Sequence, residues 1–250
     1  MPIKIYPKEV QHKGGFNHGE IVENKPFQLS DDEKLQPYSN IFYWAHAWSD
    51  KGSTIGEHPH RAFEIMSFVL KGQIEHYDSK NRKWIPLKEG NVQIIRSGSG
   101  ISHSEKLGAG ASMFQIWFDP GIEKTLNVPA SYDDYSPEIF RVADKYGMKI
   151  KYYVENGTPV KMVTPGISIY ELTFDKGSHS MPTDKDKIYS GYVISGEINI
   201  SSNNVIQDGF ILVEDEEEIK FDALSAGKIF VIQSPAKIPY KTYVEMHTER

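Results

Sequence analysis

Cysteine is absent from the 250 residues of this chain. Disulfide bonds, thiolate metal sites and a cysteine nucleophile are therefore excluded. Long apolar runs are also missing, and the chain starts Met1-Pro2-Ile3-Lys4 without the apolar core of a signal peptide. We therefore expect a cytoplasmic protein that does not enter a membrane.

An excess of basic residues is lacking as well. The formal net charge is −6, from 28 lysines and arginines against 34 aspartates and glutamates. A general nucleic-acid binder needs a basic surface that meets the phosphates, so direct nucleic-acid binding is not expected. The negative charge favours solubility and does not indicate a particular partner.

Helical periodicity is nearly absent, and short apolar or alternating segments between glycine turns take its place. Strands are predicted at Ile65–Leu70, Gln73–Asp78, Val92–Ile95 and Ala111–Phe118. Many short strands at close spacing are typical of an all-β sandwich or barrel. One short helix is predicted near Pro137 to Tyr146, in the connection between the two halves.

The second half of the chain repeats the first in weakened form. Residues 68–74 (FVLKGQI) correspond to residues 192–198 (YVISGEI), and Gly90 is matched to Gly209. A repeat of this length predicts two domains of one architecture. Counting from these glycines matches positions 58, 60, 103 and 105 of the first half, which are three histidines and a glutamate, to Pro182, Asp184, Asp222 and Leu224. The second copy is therefore expected to have lost the histidines.

Two short clusters carry metal-ligand residue types. The first contains His58 and His60, and the second contains His103 and Glu105. Residues two apart on a strand share a face, so two strands that face each other would close four ligands around one ion. Imidazole and carboxylate suit a divalent transition metal with open coordination positions. Glu64 lies an even number of residues from His58 and His60, so on a strand it would face the same side as they do. Spacing alone therefore does not decide whether Glu64 or Glu105 is the carboxylate ligand.

The remaining histidines stand alone, and a lone histidine is more often structural or exposed than a ligand. We interpret them in that way: His12, His18, His46, His76, His179 and His247.

The two clusters in combination resemble the pirin family of bicupins. The resemblance is carried by residues 58–64 (HPHRAFE), the strand that leads to Gly72, and residues 97–105 (SGSGISHSE). It implies an all-β fold of two tandem cupin barrels of jelly-roll type. The implied domains are a metal-binding cupin at 1–135, a connecting segment at 136–160 and a degenerate cupin without metal at 161–250.

The same resemblance implies a ligand set and two functions. The metal ligands would be His58, His60, His103 and Glu105. The resemblance thus selects Glu105 over Glu64 as the carboxylate ligand. The metal would be iron as Fe(II), and other metals could replace it. One implied function is a dioxygenase that opens the ring of quercetin or a related flavonol with O2. Glu105 would then accept the hydroxyl proton, and an apolar pocket would be lined by side chains such as Phe63, Trp117 or Phe118. The other is a non-catalytic, redox-sensing regulator that acts through a protein partner.

Overall fold

The computed structural model describes residues 3–30 and 34–248, and within these ranges the fold is nearly all β. The described strands, in chain order, are β1 (Ile3–Tyr6), β2 (His12–Phe16), β3 (Ile21–Gln28), β4 (Ile41–Ser49), β5 (Ser53–His60), β6 (Glu64–Lys71), β7 (Gln73–Asp78), β8 (Trp84–Lys88), β9 (Val92–Arg96), β10 (Ile101–Leu107), β11 (Ala111–Phe118), β12 (Ser131–Tyr135), β13 (Val142–Lys145), β14 (Met148–Val154), β15 (Ser168–Phe174), β16 (Gly177–Pro182), β17 (Lys187–Ser195), β18 (Glu197–Ile200), β19 (Asn203–Ile206), β20 (Phe210–Val213), β21 (Glu218–Ala223) and β22 (Gly227–Pro235). The predicted all-β class is confirmed.

Helices are short throughout the described ranges. They are α1 (Ile122–Thr125), α2 (Tyr243–Thr248) and three 3-10 turns at Lys8–Val10, Asn17–Gly19 and Pro137–Ile139. The helix predicted near Pro137 to Tyr146 is wrong beyond that last turn, because the chain continues directly into β13. None of the described helices has the length and apolar character required to cross a membrane.

The first unit contains both histidine clusters and comprises His12–Pro137, Met162–Thr164 and Pro239–Arg250. Its strands form a seven-stranded sheet in the order β12-β9-β6-β11-β4-β3-β2 and a four-stranded sheet in the order β5-β10-β7-β8. Apolar side chains from both sheets form one buried cluster, in which Val69 and Met113 meet Ile55 and Leu107. The site residues lie on the inner faces that enclose this cluster.

The second unit has the same construction. It comprises Met1–Gln11, Glu138–Lys161 and Pro165–Ile238. Its sheets run β1-β20-β17-β22-β15-β14-β13 and β16-β21-β18-β19.

The three consecutive segments expected from the sequence, at 1–135, 136–160 and 161–250, do not coincide with these two units, each of which is built from separate stretches of the chain. Strand β1 pairs with β20 from Ile3↔Val213 to Tyr6↔Phe210, so the start of the chain is an edge strand of the second unit. The expected connecting segment supplies β13 and β14 to the same sheet. The expected boundaries differ from the observed ones because strands that are distant in sequence pair with each other, and the order of motifs along the chain does not show this pairing.

The glycine turns of the repeat occupy equivalent positions in the two units. Gly72 joins β6 to β7 at φ 72°, and Gly196 joins β17 to β18 at φ 87°. This left-handed conformation favours glycine, because a side chain there would crowd the backbone.

The second pair of matched glycines is displaced by one residue. The amide of Gly90 donates to the carbonyl of Val69, and the equivalent bond runs from the amide of Asp208 to the carbonyl of Val193. Asp208 has φ 67° and takes the position that Gly90 holds at φ 83°. The match of Gly90 to Gly209 is therefore wrong by one position.

The corrected register changes which residues replace the histidines in the second unit. Ile198 pairs with Ala223 as Ile74 pairs with Leu107, and along the same strands Phe221 replaces Glu105 and Ile219 replaces His103. The cross-strand partner of Ile219 is Met181, which replaces His58.

Met181 and Phe221 belong to the buried apolar core of the second unit, and Ile219 is partly buried and packs against it. They line a cavity of about 30 Å³, far below the roughly 300–1,000 Å³ of small-molecule pockets. The inner face of the second unit therefore has apolar side chains at the positions where the first unit has candidate ligands. The expected replacements Pro182, Asp184, Asp222 and Leu224 are not the residues at these positions.

Candidate metal centre

The two histidine clusters lie on neighbouring strands of the four-stranded sheet. His103 of β10 is directly opposite His58 of β5, and Ile101 is opposite His60. The expectation of two strands that face each other across a cavity is thus replaced by hydrogen-bonded pairing within one sheet.

A bulge in β5 aims its two histidines inward. Glu105 is opposite Ile55, so two steps along β10 match three steps along β5. Such an extra residue reverses the side-chain alternation of a strand. Ile55 faces the core. His58 is three residues further along β5, so regular alternation would turn it to the outer face. The bulge instead turns His58 and His60 to the inner face, as for Ile55.

The three imidazoles converge at their Nε2 atoms. The Nε2 of His103 lies 2.9 Å from that of His58 and 3.0 Å from that of His60. A ring nitrogen carries either one hydrogen or one lone pair, so His103 Nε2 has no way to make both contacts as hydrogen bonds. With metal–nitrogen bonds of about 2.1 Å, these separations correspond to ligand angles of roughly 90°. The donor set therefore fits one shared cation.

Tautomer and burial keep these nitrogens available as ligands. The Nδ1 of His58 lies 2.8 Å from the carbonyl oxygen of Gly56, to which it donates, and this leaves the His58 Nε2 lone pair free. Burial, with the neighbouring His103 and His58 rings, lowers the pKa of His60 to about 3. Burial, with His58 and His76, likewise lowers the pKa of His103 to about 2. Neutral imidazoles are the form that binds metals.

Glu105 lies beside this group and is held by another residue. Among the described residues, His58, His60 and His103 form the group of three candidate ligands whose ligand atoms all lie within 4.8 Å of one another, and Glu105 is not part of that group. The Glu105 carboxylate is 1% exposed and accepts from Gln115 Nε2, at 2.8 Å and 2.6 Å from its two oxygens. The Ser67 hydroxyl lies 3.5 Å from the same carboxylate.

Glu64, the alternative carboxylate, is engaged elsewhere. Its oxygens accept from the amide of Val163 at 2.8 Å, and from the amide and hydroxyl of Thr164 at 2.7 Å and 2.5 Å. Arg96 Nε approaches it to 3.8 Å. Burial raises the pKa of Glu64, although these donors act in the opposite direction. Glu64 thus anchors the segment 162–164.

Aromatic rings border the histidines on one side. The rings of Phe63 and Trp117 lie 5.4 Å and 5.1 Å from the His60 ring. Phe42 packs edge-on against Phe63, and Tyr243 of α2 contacts Phe42 at 5.3 Å. Of the three pocket residues expected from the sequence, Phe63 and Trp117 adjoin the site. Phe118 is completely buried and does not line an open pocket.

Sequence reasoning missed a second histidine–carboxylate pair next to His103. His76 and Asp78 on β7 are both 0% exposed, with His76 Nε2 2.8 Å from Asp78 Oδ2. The His76 ring lies 5.7 Å from that of His103. Burial alone would raise the pKa of Asp78, but the amide of Asn81 and the ring of His76 lower it overall. The alternation of β7 was the available signal, since it places both residues on the inner face.

Comparison with known proteins supplies the family. Residues 8–118 match the family model described as Pirin. This part of the chain is therefore similar to the pirin family, as the two motifs predicted. Over 122 residues, 46% of its length, this chain is 31% identical to a protein named Quercetin 2,3-dioxygenase from Escherichia coli (strain K12), of which the match covers 52%. The chain therefore spans about half the length of the first curated relatives that it matches.

Other matches extend over nearly the whole chain. A Zymomonas mobilis protein with a provisional quercetin 2,3-dioxygenase name is 26% identical over 244 residues, covering 94% of this chain and 100% of that protein. The crystal structure of the bacterial pirin YhhW from Escherichia coli in complex with nickel(II) superimposes with a TM-score of 0.76 at 20% identity, covering 94% of this chain and 100% of the other. The structural likeness confirms the bicupin fold of this chain.

Proposed function

We propose that this chain binds one divalent transition metal at His58, His60 and His103 and opens the ring of quercetin or a related flavonol with O2. The convergence of the three Nε2 atoms carries the proposal. A bound metal supplies a Lewis acid with open positions for oxygen ligands. The pirin resemblance implies Fe(II), and the nickel in the YhhW structure makes Ni(II) the second metal to test.

Glu105 has two proposed roles. It is the fourth ligand that the pirin resemblance implies, and it is the carboxylate that accepts the proton of the flavonol hydroxyl. Its location on the inner face of β10, two residues from His103, supports both roles. Burial of the carboxylate excludes bulk water, which would otherwise compete for that proton.

The aromatic border supports a flat phenolic substrate. Phe63 and Trp117 adjoin His60, and Phe63 and Phe42 belong to one apolar cluster. Aromatic rings bind by offset stacking or edge-to-face contact, which suits the fused rings of a flavonol. His58 is partly exposed, so the site is reached from solvent on its side.

Oxygen uptake by the metal-loaded protein tests the proposal. Apoprotein is loaded anaerobically with Fe(II), Ni(II) or Mn(II), the metal content is measured, and oxygen consumption is followed with quercetin. We expect uptake with quercetin and none with the matching flavone that lacks the 3-hydroxyl group, because it has no 3-hydroxyl proton for Glu105 to accept. No uptake by any fully loaded form would overturn the dioxygenase proposal and favour the regulatory function.

A further inference from the structure

Asp78, at the end of β7, is surrounded by groups that donate to it. The backbone amides of Lys80 and Asn81 donate to its Oδ1 at 2.9 Å and 2.6 Å. The side-chain amide of Asn81 donates to its Oδ2 at 2.9 Å. Backbone amides have no acceptor atom on nitrogen, so the Asp78 side chain is an ionised carboxylate that only accepts.

His76 is oriented by this carboxylate. Its Nε2 lies 2.8 Å from Asp78 Oδ2, and because the carboxylate only accepts, the His76 Nε2 carries the hydrogen. The ring of Tyr132 stacks on the His76 ring at 4.6 Å, with 13° between the planes, and holds the plane of the imidazole. The other ring nitrogen of neutral His76, Nδ1, therefore keeps its lone pair as an acceptor. This Nδ1 is buried and has no hydrogen-bond partner within the described ranges.

His103 has the complementary group without a partner. Its Nε2 meets the Nε2 atoms of His58 and His60, so a metal bound there takes this lone pair and leaves the hydrogen on the His103 Nδ1. The His103 Nδ1 is also buried, and none of the described residues pairs with it. A ligating histidine almost always donates this second N–H to an acceptor. His103 thus has a buried donor that requires one.

The two unpartnered nitrogens belong to neighbouring rings. The centres of the His76 and His103 rings are 5.7 Å apart. A hydrogen bond of about 2.9 Å between the facing nitrogens of two imidazoles would place the ring centres roughly 5.2 Å apart. The observed separation is only slightly longer. A buried donor and a buried acceptor are each unfavourable when unpaired, and pairing them removes both costs.

We propose that His76, held by Asp78, is the acceptor for the Nδ1–H of His103 and positions that ring for the metal. The carboxylate fixes the tautomer of His76, and His76 in turn fixes the tautomer of His103. His76 and Asp78 are positioning residues in this network, because they act through His103. The inference rests on the proposed metal site and does not depend on a flavonol substrate.

Zn(II) binding to the full-length apoprotein tests this network in Asp78→Asn. The amides of Lys80 and Asn81 keep the oxygen of the new side chain on their side, so its NH2 group faces His76. His76 then carries its hydrogen on Nδ1, where it opposes the N–H of His103. We expect Asp78→Asn to bind Zn(II) roughly 10–100-fold more weakly, which is the effect of losing such a partner.

The tautomers provide a second measurement. Nitrogen NMR of Zn(II)-loaded protein with isotope-labelled histidine shows which ring nitrogens carry hydrogen. In the wild type, we expect hydrogen on the Nε2 of His76 and on the Nδ1 of His103. In Asp78→Asn, the hydrogen of His76 should move to Nδ1.

Two further variants make the test specific. His76→Phe keeps a ring and removes the acceptor, so it should weaken Zn(II) binding by a similar factor. Combining it with Asp78→Asn should add little to the loss, because both changes act on the same hydrogen bond. Asp119 is a 1% exposed carboxylate of the same unit that accepts from two backbone amides. Asp119→Asn should therefore lower the Tm and leave the affinity for Zn(II) unchanged.

Wild-type affinity in Asp78→Asn would overturn the inference, because a purely structural role lowers stability alone. Hydrogen on the Nδ1 of His76 in the wild type would also overturn it, as would losses in the two variants that add. If neither variant folds, the wild-type tautomer of His76 decides. Failure of the wild type to bind Zn(II) would refute the metal site and this inference with it. Absence of quercetin turnover, together with the expected losses of affinity, would refute only the substrate.

Discussion

Replacing Glu64 by alanine should destabilise the first unit and leave its metal content unchanged. The Glu64 carboxylate is 1% exposed and accepts from the amide of Val163 and from the amide and hydroxyl of Thr164. Thr164 is 4% exposed, so its two donors would be left without water or protein partners in the alanine variant. The Val163 side chain is 52% exposed, and solvent can compensate for part of the loss there.

The expected cost follows from these donors. A buried donor without a partner costs about 1–3 kcal/mol, and removing one member of a buried charged pair costs about 3–5 kcal/mol. We expect the free energy of unfolding to fall by about 3–5 kcal/mol in Glu64→Ala. For a protein of this size that corresponds to a decrease in Tm of roughly 6–20 °C.

Thermal denaturation and metal analysis of the same preparations provide the assay. Glu64→Gln is the matched control, because the amide keeps one acceptor oxygen and nearly the same volume. It should cost about 1 kcal/mol, close to the net value of one hydrogen bond. A folded Glu64→Gln protein that has lost its metal would refute the reasoning, because Glu64 would then be a ligand.

The pH dependence of the same pair tests the electrostatics. Burial raises the pKa of folded Glu64 above its ordinary value of 4.5. The stabilising effect of this shift is complete below pH 4.5 and is lost as the pH rises through the folded pKa. The stability of wild type relative to Glu64→Gln should therefore decrease with rising pH across this window. A relative stability that increases there would contradict the direction of the shift.

Three further predictions concern the metal site and the repeat. His103→Ala should release the metal while His46→Ala on β4 retains it; equal metal content by elemental analysis would show that the ligand set is wrong. Gly196→Ala should destabilise the protein more than Gly72→Ala in denaturant unfolding, because a Cβ would meet backbone atoms at 2.8 Å in the first case and at 3.2 Å in the second; the reverse order would contradict this geometry. Phe221→Ala should cost about 3–5 kcal/mol as a buried aromatic truncation and leave metal content unchanged, so metal loss in a folded variant would contradict the assignment of Phe221 to the apolar core.

Strand alternation predicted much of the first unit. The hairpin around Gly72 and the shared face of His103 and Glu105 follow from a period of two and from glycine at positive φ. These are local properties of the chain. The all-β class and the two related halves follow from the same signals, repeated along the sequence.

The pairing between strands that are distant in sequence could not be predicted from local alternation. Gly209 is the residue next to the true equivalent of Gly90, and Asp208 adopts the left-handed conformation itself, as aspartate does more readily than most residues. A match by glycine alone therefore shifted every equivalent position in β21 by one. The bulge before His58 is likewise visible only from the register against β10.

Side-chain partners at the site also depend on long-range packing. Glu64 and Glu105 share a parity with the histidines, but Thr164 engages one and Gln115 the other. Gln115 itself could have been noticed as a polar residue two positions from Met113 and Trp117, on the face that alternation predicts to be buried. Its contacts with Glu105 and with the indole N–H of Trp117 are not described by any spacing rule.

The discontinuous composition of the two units affects when each is completed during synthesis. The first unit contains the histidines but also includes Pro239–Arg250, and the second includes Met1–Gln11. The segment with Tyr243, which contacts Phe42 in the first unit, is translated after the strands of that unit. A nascent chain that has emerged only to residue 135 thus has every proposed ligand and lacks part of its aromatic border. Splitting the gene near that point would leave both fragments without strands or helices that their own sheets require.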